Sequence, residues 1–588
     1  MNVRYLIFKA PLLLLLGIGL IFTSCEDDDV DPDDDSGQQD PGDDDDYDDE
    51  PEKPYEETIQ LDCQLDEDMV LEQVEDVDVD YFVSCPNGAS ITADIEVEAG
   101  VVIMFANQGF TVSDNGSLSI IGEEDNPVML RGGELDVAGS WSMLAFESNN
   151  PANRLEHAVI NGAGDEMAET PAVVATHNAN VSIVNTTIEH SLNNGLMIAE
   201  EATIEEFSEN HFNENGGYPV ELTPDNIGVL DSISVYDDNN GEESIFVSGG
   251  DVSSDQTWNG LNTYLYFDGS VEVDAELKIN AGLELVFNDD RKFHSTDGFL
   301  NINGTKDDPV IFRGNIESPG YWAGIEIESN HPDNLLNHVE VYHGVNNVEL
   351  SDGQAAFTHS LFAEAEEYGL LEGDSRTDEG SITEFLNNTF SNNGEAGVSI
   401  RPENVHKLDN VSSYDEDNHR DYILVNRSGN IHTEVTWNNL DAYYVFTDQV
   451  EIYDKLTIEA GTDLRFRSDG ELYIRDEGQL EAMGNSNEII RFRGEVVGEN
   501  APRNQWRGLR LGAPYFQELS FVDIAHGRDA NITVRDGFNV FIVESTIRDT
   551  EGYGIRQSRS NVDGNLFLEE VTFENIDMDD VEKESWIQ

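Results

Sequence analysis

"DIEVEAGVVIMF" (94–105) returns as "ELKINAGLELVF" (276–287) and again as "KLTIEAGTDLRF" (455–466). Each copy carries its glycine at the same place, Gly100, Gly282 and Gly461, and the copies start 182 and 179 residues apart. Four further markers follow each in the same order. "GSLSIIGEEDNPVMLRG", "GFLNINGTKDDPVIFRG" and "GQLEAMGNSNEIIRFRG" end at Gly132, Gly314 and Gly494, and the strands opened by Trp141, Trp322 and Trp506 come next. Then come "NRLEHAVINGAG", "NLLNHVEVYHG" and "QELSFVDIAHG", and last "VSIVNTTIEHSLNNGLMI", "AAFTHSLFAEAEEYGLLE" and "VFIVESTIRDTEGYGIRQ". Self-similarity at a fixed long period marks three copies of one unit of about 180 residues.

Inside a unit the signal is short alternation, as in Leu118-Ser119-Ile120 or Ile325-Glu326-Ile327, broken every few residues by Gly, Asn or Asp. That pattern predicts strands of a few residues joined by turns, and no helical period persists. Strands recurring at a finer spacing of about twenty residues fit a coil whose turns stack. Inward Val, Ile, Leu and Phe would then form one apolar column that no single turn could bury alone. Asn-rich turns such as "HFNENGG" (211–217) and "TFSNNGEAG" (389–397) suit left-handed backbone. A propeller or a string of sandwiches fits less well, because blades of about 45 residues do not match these long units.

The "AG-x-x-L-x-F" entry, the "NP-V-x-F-x-G" turn and the "W-x-G-I" strand resemble the bacterial right-handed parallel β-helix proteins of the pectate-lyase-like superfamily. The resemblance runs from about residue 81 to the end. It implies an all-β, right-handed parallel β-helix built from three repeats, with units over 81–252, 253–430 and 431–588. Residues 58–80 are expected to cap the first unit, and "VEKESWIQ" to close the last turn. The superfamily includes lyases, hydrolases, adhesins and proteins without catalysis, so fold alone does not assign an activity.

The N-terminus predicts an address. Arg4 and Lys9 precede an apolar run from Pro11 to Phe22, too short to span a bilayer and laid out as a secretory signal peptide, residues 1–24. Phe22-Thr23-Ser24-Cys25 resembles a bacterial lipobox, which makes Cys25 the lipidated mature N-terminus. From there to residue 57 the chain is nearly all Asp, Glu, Pro, Gly and Ser, a self-repelling tether without a core. Acidic residues directly after the lipid cysteine resemble the surface-export signal of Bacteroidetes lipoproteins. The resemblance implies anchoring in the outer membrane, facing the exterior.

The chain carries 121 Asp and Glu against 30 Lys and Arg, a formal net charge of −91. Nucleic acid is thereby excluded as a partner, and the surplus reads as a solvated acidic surface. The remaining cysteines, Cys63 and Cys85, face an oxidising compartment and are expected to pair. Free thiols are the alternative.

Candidate chemistry is sparse. The Asn-Thr-Asp, paired Asp and Gly-His-Gly signature of hydrolases in that superfamily is absent; His526, His343 and Gly162 share a repeated turn, a pattern that reads as turn geometry. His157 and His338 interchange with Phe521, which reads as packing. Arg131, Arg313 and Arg493 recur before glycine as structural arginines bonding an adjacent turn. Asp237 and Asp238, in "VYDDNNGEE", and Asp415 and Asp417, in "SYDEDNHRD", are candidate calcium ligands, against the alternative of solvated loops. No cofactor is expected to be required, calcium being the one candidate. About half of all Lys and Arg fall in residues 431–588, so Arg491, Arg503, Arg507 and Arg510 are candidate ligand-binding residues on a basic face. Trp506 joins them as a stacking platform for sugar rings. The opposing readings pair the arginines with neighbouring acids and pack the tryptophan over a turn.

The expectation is a non-catalytic surface lipoprotein that binds a glycan or a surface partner through an elongated solenoid. A polysaccharide lyase or hydrolase with a diverged site and a structural stalk are the alternatives. If the address is read correctly, metabolic labelling with a fatty-acid analogue marks the chain, and Cys25→Ser abolishes both the label and membrane partition, because acyl chains contribute about 0.8 kcal/mol per buried CH₂.

Overall fold

The computed structural model describes residues 57–165, 169–373, 382–513, 515–535, 539–557 and 565–583. The signal segment, Cys25, the tether to residue 56 and residues 584–588 of the expected C-terminal cap lie outside them. The described chain is all-β, a parallel β-solenoid of about 21 turns. Each turn lays down three short strands on three sides, and every paired strand runs parallel to its neighbours one turn before and after.

The column forms because alternation meets stacking. In the strand Val128–Arg131, Val128 and Leu130 are buried while Met129 and Arg131 point outward. Leu130 lies opposite Ile103 in the preceding turn and Ile160 in the next, so like sits on like along the axis. A side chain repeating every second residue puts all inward positions on one face of the pleat. The recurring glycine makes the corner before one such strand: Gly100, Gly282 and Gly461 have φ of 80°, 82° and 91°, a region that side chains rarely enter.

The asparagines of the turns divide into two jobs. In "TFSNNGEAG" Asn392 takes left-handed φ of 56°, while in "HFNENGG" that place falls to Glu214, with φ of 49°. The asparagine the two turns share, Asn215 or Asn393, is buried instead. Its side chain accepts the N–H of Ser191 or Ala365 and donates to the carbonyl of Ile188 or Phe362 in the turn below. Such ladders satisfy backbone groups that the corner would otherwise strand.

Residues 58–80 form a complete first turn as well as a cap. Ile59–Gln60, Gln64–Leu65 and Met69–Leu71 pair with the three strands of the next turn. A disulfide joins Cys63 to Cys85, with Cα atoms 5.6 Å apart and a sequence separation of 22. A crosslink closing a loop of that length stabilises by about 3 kcal/mol.

The repeat does not stack face on face. From Val102–Phe105 up to its equivalent Glu284–Phe287 the described chain lays down twenty-one strands and one 3-10 turn, Pro224–Val229. Twenty-two sides on a three-sided coil leave one over. The first strand of each turn accordingly lies in an eight-stranded sheet in unit one and in a fifteen-stranded sheet in unit two. In unit three it lies in a fourteen-stranded sheet. The fifteen-stranded sheet is the second side of unit one and the first of unit two; the fourteen-stranded sheet repeats this between units two and three. Each unit is thus turned by one side relative to the last.

The 3-10 turns, Pro224–Val229 and Pro402–Lys407, each have Pro in the first turn. At the second, Glu372 and Arg401 are 1% and 3% exposed, and the Arg401 guanidinium donates from Nε to Glu372 Oε1 at 2.5 Å while its backbone N–H donates to Oε2 at 2.9 Å. The first junction has Ile198 and Thr223 at these places. Arg401→Thr alone is expected to cost about 3–5 kcal/mol by leaving a buried carboxylate uncompensated. Glu372→Ile with Arg401→Thr recovers most of that loss, measured by denaturant unfolding of the three proteins.

Candidate functional site

Trp506 is not a surface platform. It is 0% exposed and stacks on Phe466 with ring centres 4.2 Å apart, and its indole N–H donates to the Ala525 carbonyl at 2.8 Å. Trp141 on Phe105 and Trp322 on Phe287 repeat the arrangement, donating to Asn161 and Tyr342. An indole with its one polar atom satisfied inside the column fills core volume and has no face left for a ligand.

The four candidate arginines do not form one face. Arg491 stands on the fourteen-stranded sheet between Asp463 and Asp523 of adjacent turns, whereas Arg510 stands on the next side, 3.7 Å from Glu471 and over the Tyr473 ring. Arg507 pairs with Asp469 at 2.9 Å, and Arg503, on the intervening loop, with Asp577 at 2.6 Å. The structural reading of the recurring arginines holds in two units, where Arg313 bonds Glu284 and Arg493 bonds Asp463. In the first unit Val102 stands where Glu284 and Asp463 stand in the others, and Arg131 turns to the carbonyls of Gly132 and Gly133.

The candidate calcium ligands are also divided. Asp237 and Asp238 lie on the eight-stranded sheet and Asp415 on the fifteen-stranded one, with Asp417 just beyond it in left-handed φ of 55°. Asp238 is engaged by His211 and Asn239, each at 2.8 Å. Burial and the neighbouring Asp441 push the Asp415 carboxyl above its ordinary range. Among the described residues, groups of three metal-ligating side chains converge elsewhere, at Asp136, Glu189 and His190 and at His294, Glu326 and Glu328. The repeated-turn residues Gly162, His343 and His526 have φ of 75°, 66° and 69°, and His157, His338 and Phe521 have φ of 48° to 50°. Interchange at both places follows a left-handed corner.

What the structure does assemble lies on the outer surface of the fifteen-stranded sheet, across the first junction. Ala145, Val174, Met197, Glu221, Phe246 and Tyr266 follow one another in register along successive turns. Tyr218 packs beside Phe246 with ring centres 5.1 Å apart, and Phe246 lies 6.2 Å from Tyr266. All three rings are half-buried. Neither the Tyr218 nor the Tyr266 hydroxyl has a hydrogen-bond partner among the described residues. Burial first, and then Glu242, pushes the Tyr218 hydroxyl up to about 12, so it stays a neutral donor at neutral pH. Toward unit one the row opens into a groove of about 1280 Å³ that includes Asn194, Met197 and Glu221. The Asn194 amide donates to Glu221 at 2.7 Å and its carbonyl accepts the Tyr218 N–H at 2.8 Å, which fixes the polar edge beside the first ring.

At the second junction, one side further round, the equivalent places are Ala396, Leu424 and Val445, so the row itself has no ring, and the rings beside it, Tyr422 and Tyr443, are covered. Tyr422 is 4% exposed and Val445 is buried. The Arg465 guanidinium lies 3.4 Å above the Tyr443 ring, and Arg467 donates to the Tyr422 hydroxyl and to Glu495. The equivalents of these arginines in unit two are Val286 and Asn288, too short to cover the rings. Alternation in "TYLYF" (263–267) places Tyr264 and Tyr266 outward around Leu265, a signal in the sequence that becomes a surface only when Tyr218 arrives from two turns earlier.

The chain matches no known protein-family model, no curated protein and no solved structure. Trp506→Ala is expected to lower stability by about 3–5 kcal/mol, read from denaturant unfolding, with no separate effect on ligand retention at temperatures where the variant stays folded.

Proposed function

We propose that this protein is a non-catalytic binding protein of the bacterial surface whose solenoid captures a glycan on the Tyr218, Phe246 and Tyr266 row. The observation that carries the reading is an open aromatic row continuous with a polar groove. A sugar ring has an apolar face that stacks on an aromatic ring and a rim of hydroxyls that need polar partners. The row supplies both, through its rings and through the unspent tyrosine hydroxyls, Asn194 and Glu221. Glu221, Phe246 and Tyr266 stand on sheet strands, and Asn194 bonds the Tyr218 backbone at the corner, so little ordering is needed on binding.

In the same reading Cys25 carries the lipid that anchors the protein in the outer membrane, and the acidic tether carries the solenoid clear of it. The kinship behind the fold is the pectate-lyase-like superfamily, in a member that binds without cleaving. The surface charge favours neutral glycans over acidic ones, because an anionic polymer meets a chain of net charge −91.

The test presents residues 58–588 to neutral and acidic polysaccharides, with and without calcium, reading retention and soluble products together. Retention on a neutral glycan without product is the expected outcome. Tyr218→Ala with Tyr266→Ala weakens retention about tenfold while leaving the melting temperature nearly unchanged. Release of oligosaccharide identifies a lyase or hydrolase instead. Neither retention nor product leaves the stalk, or a protein partner.

A further inference from the structure

The third unit holds a different cavity. After the strand Ile490–Gly494 the chain runs through a loop, 495–505, before re-entering the coil at Trp506. This loop and the strand corners of the following turns enclose about 380 Å³. Arg493 and Arg548 reach the cavity from the fourteen-stranded sheet, Arg503 from the loop and His526 from the corner, while Asp549 and Glu499 are the carboxylates of the lining. In a chain of formal charge −91 the lining gathers three guanidiniums beside two carboxylates.

His526 is 5% exposed, and its Nδ1 is buried without a partner, as is the Nδ1 of His343 in the second unit. Neither ring nitrogen of His526 has a hydrogen-bond partner among the described residues. For Nε2 the second unit explains why. There His343 holds the same left-handed corner and its Nε2 lies 3.2 Å from Glu364. In the third unit the equivalent carboxylate, Asp549, is taken by Arg548 and by the Asn575 amide at 2.7 Å. Arg548 stands where the second unit has Ala363, so the arginine that entered the corner removed the histidine's partner.

Arg493 and Arg548 are braced from outside the cavity, and Arg503 partly by Asn575 of its lining. Arg493 makes two bonds to Asp463, at 2.9 and 2.5 Å, and Arg548 makes two to Asp523, at 2.9 and 2.8 Å. Arg503 is held by Asn575 and Asp577. These bonds leave Arg493 Nη1 and Arg503 Nε without a hydrogen-bond partner among the described residues. Donors preset in this way lose little freedom when an anion arrives.

We infer that this corner of the third unit binds a compact tetrahedral oxyanion of the phosphate or sulfate type, either free or as an ester on a larger molecule. The donors come from two strands, a loop and a corner, hence from directions that do not share a plane. Three or four oxygens in a tetrahedron meet such a set better than the two coplanar oxygens of a carboxylate. The site lies in the third unit, away from the aromatic row of the first junction, and stands or falls independently of it.

Calorimetry and thermal melting of the soluble chain test this with sodium phosphate, sodium sulfate, glucose 6-phosphate and glucose 6-sulfate, against sodium chloride at matched ionic strength. One saturable site per chain is expected for phosphate or sulfate, with a rise in melting temperature. Arg503→Gln and His526→Gln each weaken it about tenfold or more, Arg503→Gln keeping the melting temperature of the parent in chloride. Binding by the free ions alone identifies a free-anion site; binding by the sugar esters identifies an ester-borne group, and either supports the inference. No saturable binding up to about 10 mM of any probe overturns it, as does binding that Arg503→Gln leaves unchanged.

Discussion

A repeat unit of twenty-two sides cannot return to its starting side on a three-sided coil, and this remainder governs where every outward group of the protein falls. The inward positions feel no difference, since all three sides face one apolar column. Trp141, Trp322 and Trp506 therefore keep the same phenylalanine beneath them and the same carbonyl bond. Outward positions of equivalent sequence point to different sides, meet different neighbours and are free to diverge. Val286 became Arg465 at one such place and Tyr266 became Val445 at another. The solenoid conserves its inside by packing and diversifies its outside by rotation.

The junctions show how far that divergence goes. Both use a proline-started 3-10 turn to gain the extra side, yet one encloses Ile198 and Thr223 and the other a buried Glu372–Arg401 pair. An apolar and an ionic solution to one corner can coexist because a buried ion pair contributes little beyond what apolar packing would, provided both partners are present. The outward rows at the same junctions diverge in parallel, Tyr218, Phe246 and Tyr266 at the first against Ala396, Leu424 and Val445 at the second. Arginines cover Tyr443 and Tyr422 beside the second, through cation–π contact and a tyrosine hydroxyl, whereas the shorter Val286 and Asn288 leave the first open. Function is argued for the open one because covered rings have already satisfied their faces.

Much of this was legible in the sequence, and what was not depends on counting or on neighbours far along the chain. The glycines at 100, 282 and 461 marked the repeat, and alternation announced the strands. The rotation between units was hidden because it depends on the 3-10 turns Pro224–Val229 and Pro402–Lys407 adding one side, and a short turn looks like any other loop in sequence. Asparagine misled in part. Its tolerance of left-handed backbone explains Asn392, but Asn215 and Asn393 serve as buried ladders, a role that requires knowing which carbonyl lies one turn below. Arginines 491 to 510 are close in sequence, but the loop 495–505 carries the chain around a corner, so they part onto two sides.

Charge follows the same logic. The third unit is richest in arginine, and most of its arginines are answered by a carboxylate on the same or an adjacent turn, as Arg493 is by Asp463 and Arg548 by Asp523. Pairs of this kind, partly exposed, contribute little to stability individually, but they fix guanidinium orientation. Orientation without large stabilisation is what a binding corner needs, and the arrangement leaves the His526 Nε2 without the carboxylate that His343 Nε2 meets in the second unit. In the first unit, where arginine is nearly absent, the outward surface is organised by aromatic rings and amides instead. Two chemistries can therefore sit on one coil without competing, because each draws on outward residues while the shared column holds the backbone in place for both.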